Sequence, residues 1–136
     1  LGHTPLFDGM GVTLGAVVAK TADFSQSGVP CRSVTVIVTD GGNNSSKKQT
    51  VNTIKAIVED MVRAESHIIL FIGLDDGFTD FRKLAAEMGI PDRWVLTPKN
   101  TRSEFRAAMR VASQSAVRAS QGAAGFSQAA ATGFGT

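Results

Sequence analysis

An aspartate stands directly after the most β-branched segment of the chain, where a carboxylate could do chemistry. Asp40 follows the run Ser33–Thr39, and the residues after it are Gly41, Gly42, Asn43 and Asn44. In open parallel sheets, ligands bind at the carboxyl ends of the strands, near the point where the strand order reverses. A carboxylate beside a glycine-rich backbone there suits a hard cation such as Mg²⁺ or Mn²⁺. The alternative is that Asp40 only starts a turn or caps the next helix.

Few other residues are candidates for chemistry. Asp75 and Asp76 follow the second apolar run and would lie at the same sheet edge, either as an acidic rim or as a solvent-exposed turn. His3 and His67 have no Cys or Glu at zinc-site spacing, so we expect both in loops or at helix ends. Cys31 is the only cysteine, which excludes an internal disulfide and predicts a small core residue.

Helical spacing and turn signals predict the elements of the first half. Thr4 is expected to cap a helix that begins at Pro5 and runs to about Val18, with three glycines that indicate close packing. Residues 21–30 are polar and rich in turn formers, which predicts a loop. Residues 33–39 predict a strand covered on both faces, and residues 47–65 an amphipathic surface helix.

The second half repeats this alternation of strands and helices. Residues 68–72 predict a second apolar strand, and Thr79 or Asp80 can cap a helix that ends at Gly89. Residues 94–96 predict a short third strand, after which Thr101 opens a helix with the pattern of a capping box. The apolar face of that helix is expected to comprise Phe105, Ala108, Met109, Ala112 and Val117. Residues 122–136 are rich in Gly, Ala and Ser and predict a flexible tail.

Alternating helices and strands are typical of an α/β fold, a Rossmann-like and mostly parallel sheet with helices on both faces. We expect one domain over residues 1–121, followed by the tail. Three strands make a thin sheet, and the first is apolar enough to need a neighbour on each edge. Because the chain also begins at Leu1 without an initiator Met, we expect that N-terminal strands are missing.

Charge and hydropathy exclude two classes of partner. The 14 basic and 12 acidic residues are interleaved, which gives no footprint for nucleic acid. The longest apolar stretch is far shorter than the ~20 residues of a membrane-spanning helix. The single cysteine agrees with a reducing compartment, and we expect a cytoplasmic protein.

Two segments together resemble a known family. Residues 2–10 read Gly-His-Thr-Pro-Leu-Phe-Asp-Gly-Met, and residues 36–41 read Val-Ile-Val-Thr-Asp-Gly. They resemble the second and third parts of the metal-ion-dependent adhesion site of von Willebrand factor type A (vWA) domains. The similarity continues through residues 68–73, 81–86 and 113–115 and covers roughly residues 1–120. Small bacterial cytoplasmic members, such as those associated with tellurium resistance, are the most similar in character.

The resemblance implies a site and a function. Thr4 would supply a hydroxyl ligand and Asp40 a carboxylate to one Mg²⁺ or Mn²⁺, with a partner-binding rim of His3, Gly41, Gly42, Asn43, Asn44 and Asp75. The family's Asp-x-Ser-x-Ser segment does not occur in the sequence. The implied function is a metal-dependent protein-binding module, not an enzyme, whose partner protein offers a carboxylate to the ion.

Two alternatives remain open from the sequence. A phosphatase-like α/β hydrolase could use Asp40 as its nucleophile, but it would need a lysine to cradle phosphate, and Lys47 and Lys48 are expected to face solvent. A scaffold whose metal site has decayed is the other. Because strand 33–39 would have an exposed edge without a preceding strand, we also expect self-association of the chain.

Overall fold

The structure, a computed structural model, describes residues 6–40, 50–119, 121 and 130. Its helices are α1 (Leu6–Gln26), α2 (Val51–Arg63), α3 (Phe81–Glu87) and α4 (Arg102–Ala119), and a 3₁₀ turn covers Asp92–Trp94. Its strands are β1 (Ser33–Thr39), β2 (His67–Gly73) and β3 (Val95–Leu96). The described part of the chain is therefore α/β, as the sequence predicts.

The three strands form one open parallel sheet in the order β1-β2-β3. β1 pairs with β2 along its whole length, from Ser33 opposite His67 to Thr39 opposite Gly73, and Phe71 of β2 pairs with Val95. Every residue of β2 is buried, which explains the continuous apolar sequence from Ile68 to Ile72. Parallel neighbours require a crossover, and α2 and α3 lie in the two crossovers.

Strand β1 differs from the prediction that both of its faces are covered. Thr35 is buried, but Val36 and Val38 keep 38% and 41% of their surface exposed. Within the described residues β1 pairs only with β2, so it lies at the edge of the sheet. Its β-branched composition alone did not distinguish an interior strand from an edge strand, because both favour Val and Ile.

Helix α1 extends into the predicted loop of residues 21–30 and ends at Gln26. The Thr21 hydroxyl donates to the backbone carbonyl of Val17 at 3.0 Å, so this polar side chain is satisfied by its own helix. The helix ends in a Schellman motif, in which Gly28 has a φ of +78° and the Val29 amide donates to the Phe24 carbonyl. A Cβ at Gly15 would meet no atom within 4 Å, so close packing does not explain that glycine.

The other helices follow their predicted signals with small differences. Thr50 caps α2 and exchanges capping-box hydrogen bonds with Thr53, while residues 47–49 lie outside the described residues. Asp80, not Thr79, caps α3, and Gly89 follows that helix with a φ of +78°. In α4, Val117 is 58% exposed and Ser115 is buried, so the predicted apolar face is wrong at its carboxyl end.

The structure also bears on the predictions made for Cys31 and for the tail. Cys31 lies between α1 and β1 and is only half-buried, so it is not a core residue. Most of the predicted tail lies outside the described residues, but the Ala130 carbonyl accepts hydrogen bonds from Arg93 Nε at 2.6 Å and Trp94 Nε1 at 3.1 Å. No helix in the described ranges is long and apolar enough to cross a membrane.

Gly73 provides a test of the packing between β2 and α3. A Cβ at this position would overlap the side chain of Phe81, so we expect Gly73→Ala to lower the free energy of unfolding by about 1–3 kcal/mol. The matched control is Gly15→Ala in α1, where the added methyl meets nothing and should stabilise the helix by up to about 1 kcal/mol. Urea denaturation measures both, and an unchanged midpoint for Gly73→Ala would contradict the packing.

Candidate functional site

The carboxyl edge of the sheet is where the structure places the two described candidate residues, Asp40 and Asp75. Asp40 directly follows β1, and the neighbouring Thr39 carbonyl accepts a hydrogen bond from the Leu74 amide at 2.8 Å. The segment after β2 then turns towards β3, where the Asp75 amide donates to Pro98 and Asp75 bridges to Lys99. Asp40 and Asp75 are both exposed and lie on adjacent segments of the same edge.

A tight turn follows β2 and uses its own carboxylates as acceptors. Asp75 Oδ1 accepts from the Gly77 amide at 2.9 Å, and Gly77 has a φ of +79°, which favours glycine. Asp76 Oδ1 accepts from the amides of Phe78 and Thr79, and its Oδ2 accepts from the Thr79 hydroxyl at 2.6 Å. The sequence left open whether Asp75 and Asp76 form an acidic rim or a turn, and these hydrogen bonds show that they form a turn.

These hydrogen bonds stabilise the charged form of Asp76. The Thr79 hydroxyl, the Thr79 amide and the Phe78 amide all favour the carboxylate, and they lower the pKa of Asp76 from 3.8 to about 2. Asp76 is therefore ionised at any physiological pH. Because its oxygens already accept bonds from its own loop, Asp76 orders the approach to α3.

The ligand set implied for a metal ion falls mostly outside the described residues. Asp40 is described, whereas Thr4 and the rim residues His3, Gly41, Gly42, Asn43 and Asn44 are not. In the described ranges, no group of three or more His, Cys, Asp or Glu side chains could hold a metal ion. The order β1-β2-β3 also does not reverse among these strands, so they form no crevice of the predicted kind.

His67 occupies the opposite end of the sheet and has a different role from the one expected. It is the first residue of β2 and is buried, whereas the sequence predicts a loop or helix end. Its Nδ1 lies 2.6 Å from the Ser33 hydroxyl, across the first pair of the β1–β2 ladder. Burial lowers the pKa of His67, so a neutral imidazole hydrogen-bonded to Ser33 suits this position. Only the strand register, which joins residues far apart in sequence, reveals this pair.

A shallow groove beside β1 is the feature that the sequence prediction missed. It lies between α1 and the exposed side of the strand and is lined by Leu6, Gly9, Met10, Val12, Thr13, Val36, Ile37 and Val38. On the helix side of the groove, Val12 is 76% exposed. The alternation of Val34, Val36 and Val38 was the available signal, because alternate residues share one face of a strand.

The described fold and its edge define an α/β protein with an open, all-parallel sheet. Comparison of the chain with models of known protein families, with curated proteins and with solved structures gives no match.

The hydrogen bonds in the turn at Asp76 lead to a prediction about the pKa of the Asp76 carboxyl. Its hydrogen bonds stabilise the folded state above pH 3.8, and this contribution is lost as the pH falls from there through about 2. The variant Thr79→Val removes the hydroxyl whose hydrogen bond lowers the pKa of Asp76 most, so this pKa should rise towards 3.8. An NMR titration of the side-chain carboxyl measures this shift. Thr13→Val, on the exposed surface of α1, should leave it unchanged, and an equal titration in Thr79→Val would refute the assignment.

Proposed function

We propose that the chain is a protein-binding module whose partner docks at the carboxyl edge of the sheet through a Mg²⁺ or Mn²⁺ ion. The observation that supports this most is the position of Asp40, an exposed carboxylate at the end of β1 and beside the segment that carries Asp75. The resemblance of residues 2–10 and 36–41 to the vWA metal site agrees with this position and adds Thr4 as a second ligand.

Charge at this edge gives a reason for the ion to be required. Asp40 and Asp75 are acidic, and like charges brought together at an interface cost several kcal/mol. A partner that offers a carboxylate would therefore be repelled by the bare edge. A divalent cation bound there neutralises the two negative charges and supplies an open coordination position that a carboxylate oxygen can fill.

The donor chemistry fits a hard cation, but the described residues supply only part of its shell. Asp40 offers carboxylate oxygens, and Asp75 already accepts one hydrogen bond from Gly77. Mg²⁺ demands near-octahedral oxygen coordination and retains water readily, so Thr4, water and the partner would complete the shell. We therefore expect weak binding of the ion by the chain alone and stronger binding with the partner present.

Titration with Mn²⁺ followed by NMR tests the site even when binding is weak. The paramagnetic ion should broaden the amide signals of Leu74 and Asp75 in the wild type, because both lie beside the end of β1. Asp40→Ala should abolish this broadening, and an excess of Mg²⁺ should reverse it in the wild type.

The matched control is Asp60→Ala. Asp60 is also an exposed aspartate, but it lies on α2 and pairs with Arg63 at 2.7 Å, so its removal should not alter the broadening. Equal broadening in the wild type and in Asp40→Ala would contradict the proposed role of Asp40. Absence of broadening in the wild type would favour the scaffold with a decayed site.

The hydrolase alternative has one observation in its favour. The backbone of Lys99 bridges to Asp75 at the same edge. A phosphate-binding site there would need the ammonium group of such a lysine. We nevertheless expect no turnover of p-nitrophenyl phosphate above background with Mg²⁺, because the vWA resemblance implies a binding module and not an enzyme. A rate that disappears specifically in Asp40→Asn would support the hydrolase and overturn the binding module.

A further inference from the structure

Among residues 6–40 and 50–119, no strand pairs with the outer edge of β1, the side that faces away from β2. The Ser33 amide donates to Ser66 at 2.9 Å and the Thr39 carbonyl accepts from Leu74 at 2.8 Å, so the odd-numbered residues point their backbone groups towards β2. By alternation, the amides and carbonyls of Val34, Val36 and Val38 point away from β2.

This edge has none of the features that usually prevent pairing between sheets. Charged side chains, prolines and bulges protect natural edge strands, but Ser33–Thr39 contains no charge, no proline and no glycine. All five residues from Val34 to Val38 are β-branched, and β-branched side chains favour pairing between strands. The strand is therefore suited to accept another strand.

We propose that the occupant is a second copy of this chain, paired antiparallel through β1 about a two-fold axis at Val36. In this register Val36 faces Val36 of the second copy, and Val34 faces Val38. In both kinds of facing pair, the backbone N–H and C=O groups point away from β2 and towards the second copy. Each pair can therefore form two N–H···O=C hydrogen bonds between the copies. The same strand thus supplies both halves of a closed, two-fold interface, and the sheets of the two copies become continuous.

The charges that flank the strand select this arrangement. Arg32 precedes β1 and Asp40 follows it, and both are exposed. The antiparallel register that centres on Val36 also places Arg32 opposite Asp40 of the second copy, on both sides of the axis. A parallel arrangement would instead bring each residue near its own like-charged copy, which is destabilising. The strand is therefore self-complementary in hydrogen bonding and in charge.

The groove beside β1 would be covered by the same association. A two-fold axis through an antiparallel pair is perpendicular to the sheet, so α1 of both copies lies on the same face, one on each side of the joined strands. Val12, Val36 and Val38, which are exposed in the single chain, would lose contact with water there. Burial of such apolar surface favours association.

Sedimentation velocity across a concentration series tests the dimer, with EDTA present so that the outcome does not depend on metal binding. The wild type should sediment as a dimer, and Val36→Lys should raise the dissociation constant about 100-fold because it juxtaposes two ammonium groups at the axis. The matched control is Val117→Lys on α4, which is exposed, lies on another element and does not line the groove beside β1, and this variant should remain dimeric. A monomeric wild type, or a dimeric Val36→Lys, would overturn the proposal.

Charge reversal tests the register without touching the strand itself. Arg32→Asp should weaken the dimer about tenfold, and Arg32→Asp combined with Asp40→Arg should restore it, because the pairs are then opposite again. Failure of the double variant to restore dimerisation would refute this register. Hydrogen exchange of the Val34 and Val38 amides should slow as dimer forms. Protection of these amides in a monomer would show that another segment covers the edge and would also overturn the proposal.

Discussion

Burial of β2 is the constraint on which the other elements depend. All seven residues of this strand are buried, so its backbone groups have no access to water and need partners in the protein. β1 and β3 supply those partners on its two edges, and both do so in the parallel direction. Parallel pairing in turn requires the crossovers that contain α2 and α3, whose buried residues Ile54, Val58 and Phe81 belong to the same core as β2.

Signals that act over a few residues predicted the structure well. The cap at Asp80, the glycine after α3 and the apolar stripe of α2 each depend on neighbours within one or two helical turns, and each lies where the sequence predicts. The same local character explains the error in α1. Polar residues after Thr21 resemble a loop, but a helix tolerates them when one face is solvated and when a hydroxyl such as that of Thr21 bonds back to its own turn.

Contacts between distant residues account for what the sequence did not reveal. The exposure of Val36 and Val38 depends on which strand lies beside β1, and the pairing of Ser33 with His67 depends on the register of the sheet. At the candidate site, Asp40 and Asp75 were predictable because strand ends share one edge in a parallel sheet. The distinct role of Asp76 was not, because it follows from the conformation of the turn and from the position of the Thr79 hydroxyl.

The contact between Ser33 and His67 has a consequence for how the sheet assembles. β2 is apolar on both faces, so sliding β1 along it by one residue would cost β2 little, although such a slip would turn every β1 side chain to the opposite face. The slip would, however, separate the imidazole from its hydroxyl partner and leave a buried polar group unsatisfied, at a cost of about 1–3 kcal/mol. One polar pair at the first rung of the ladder thus adds to the alternation of buried and exposed residues in β1 in favouring a single alignment.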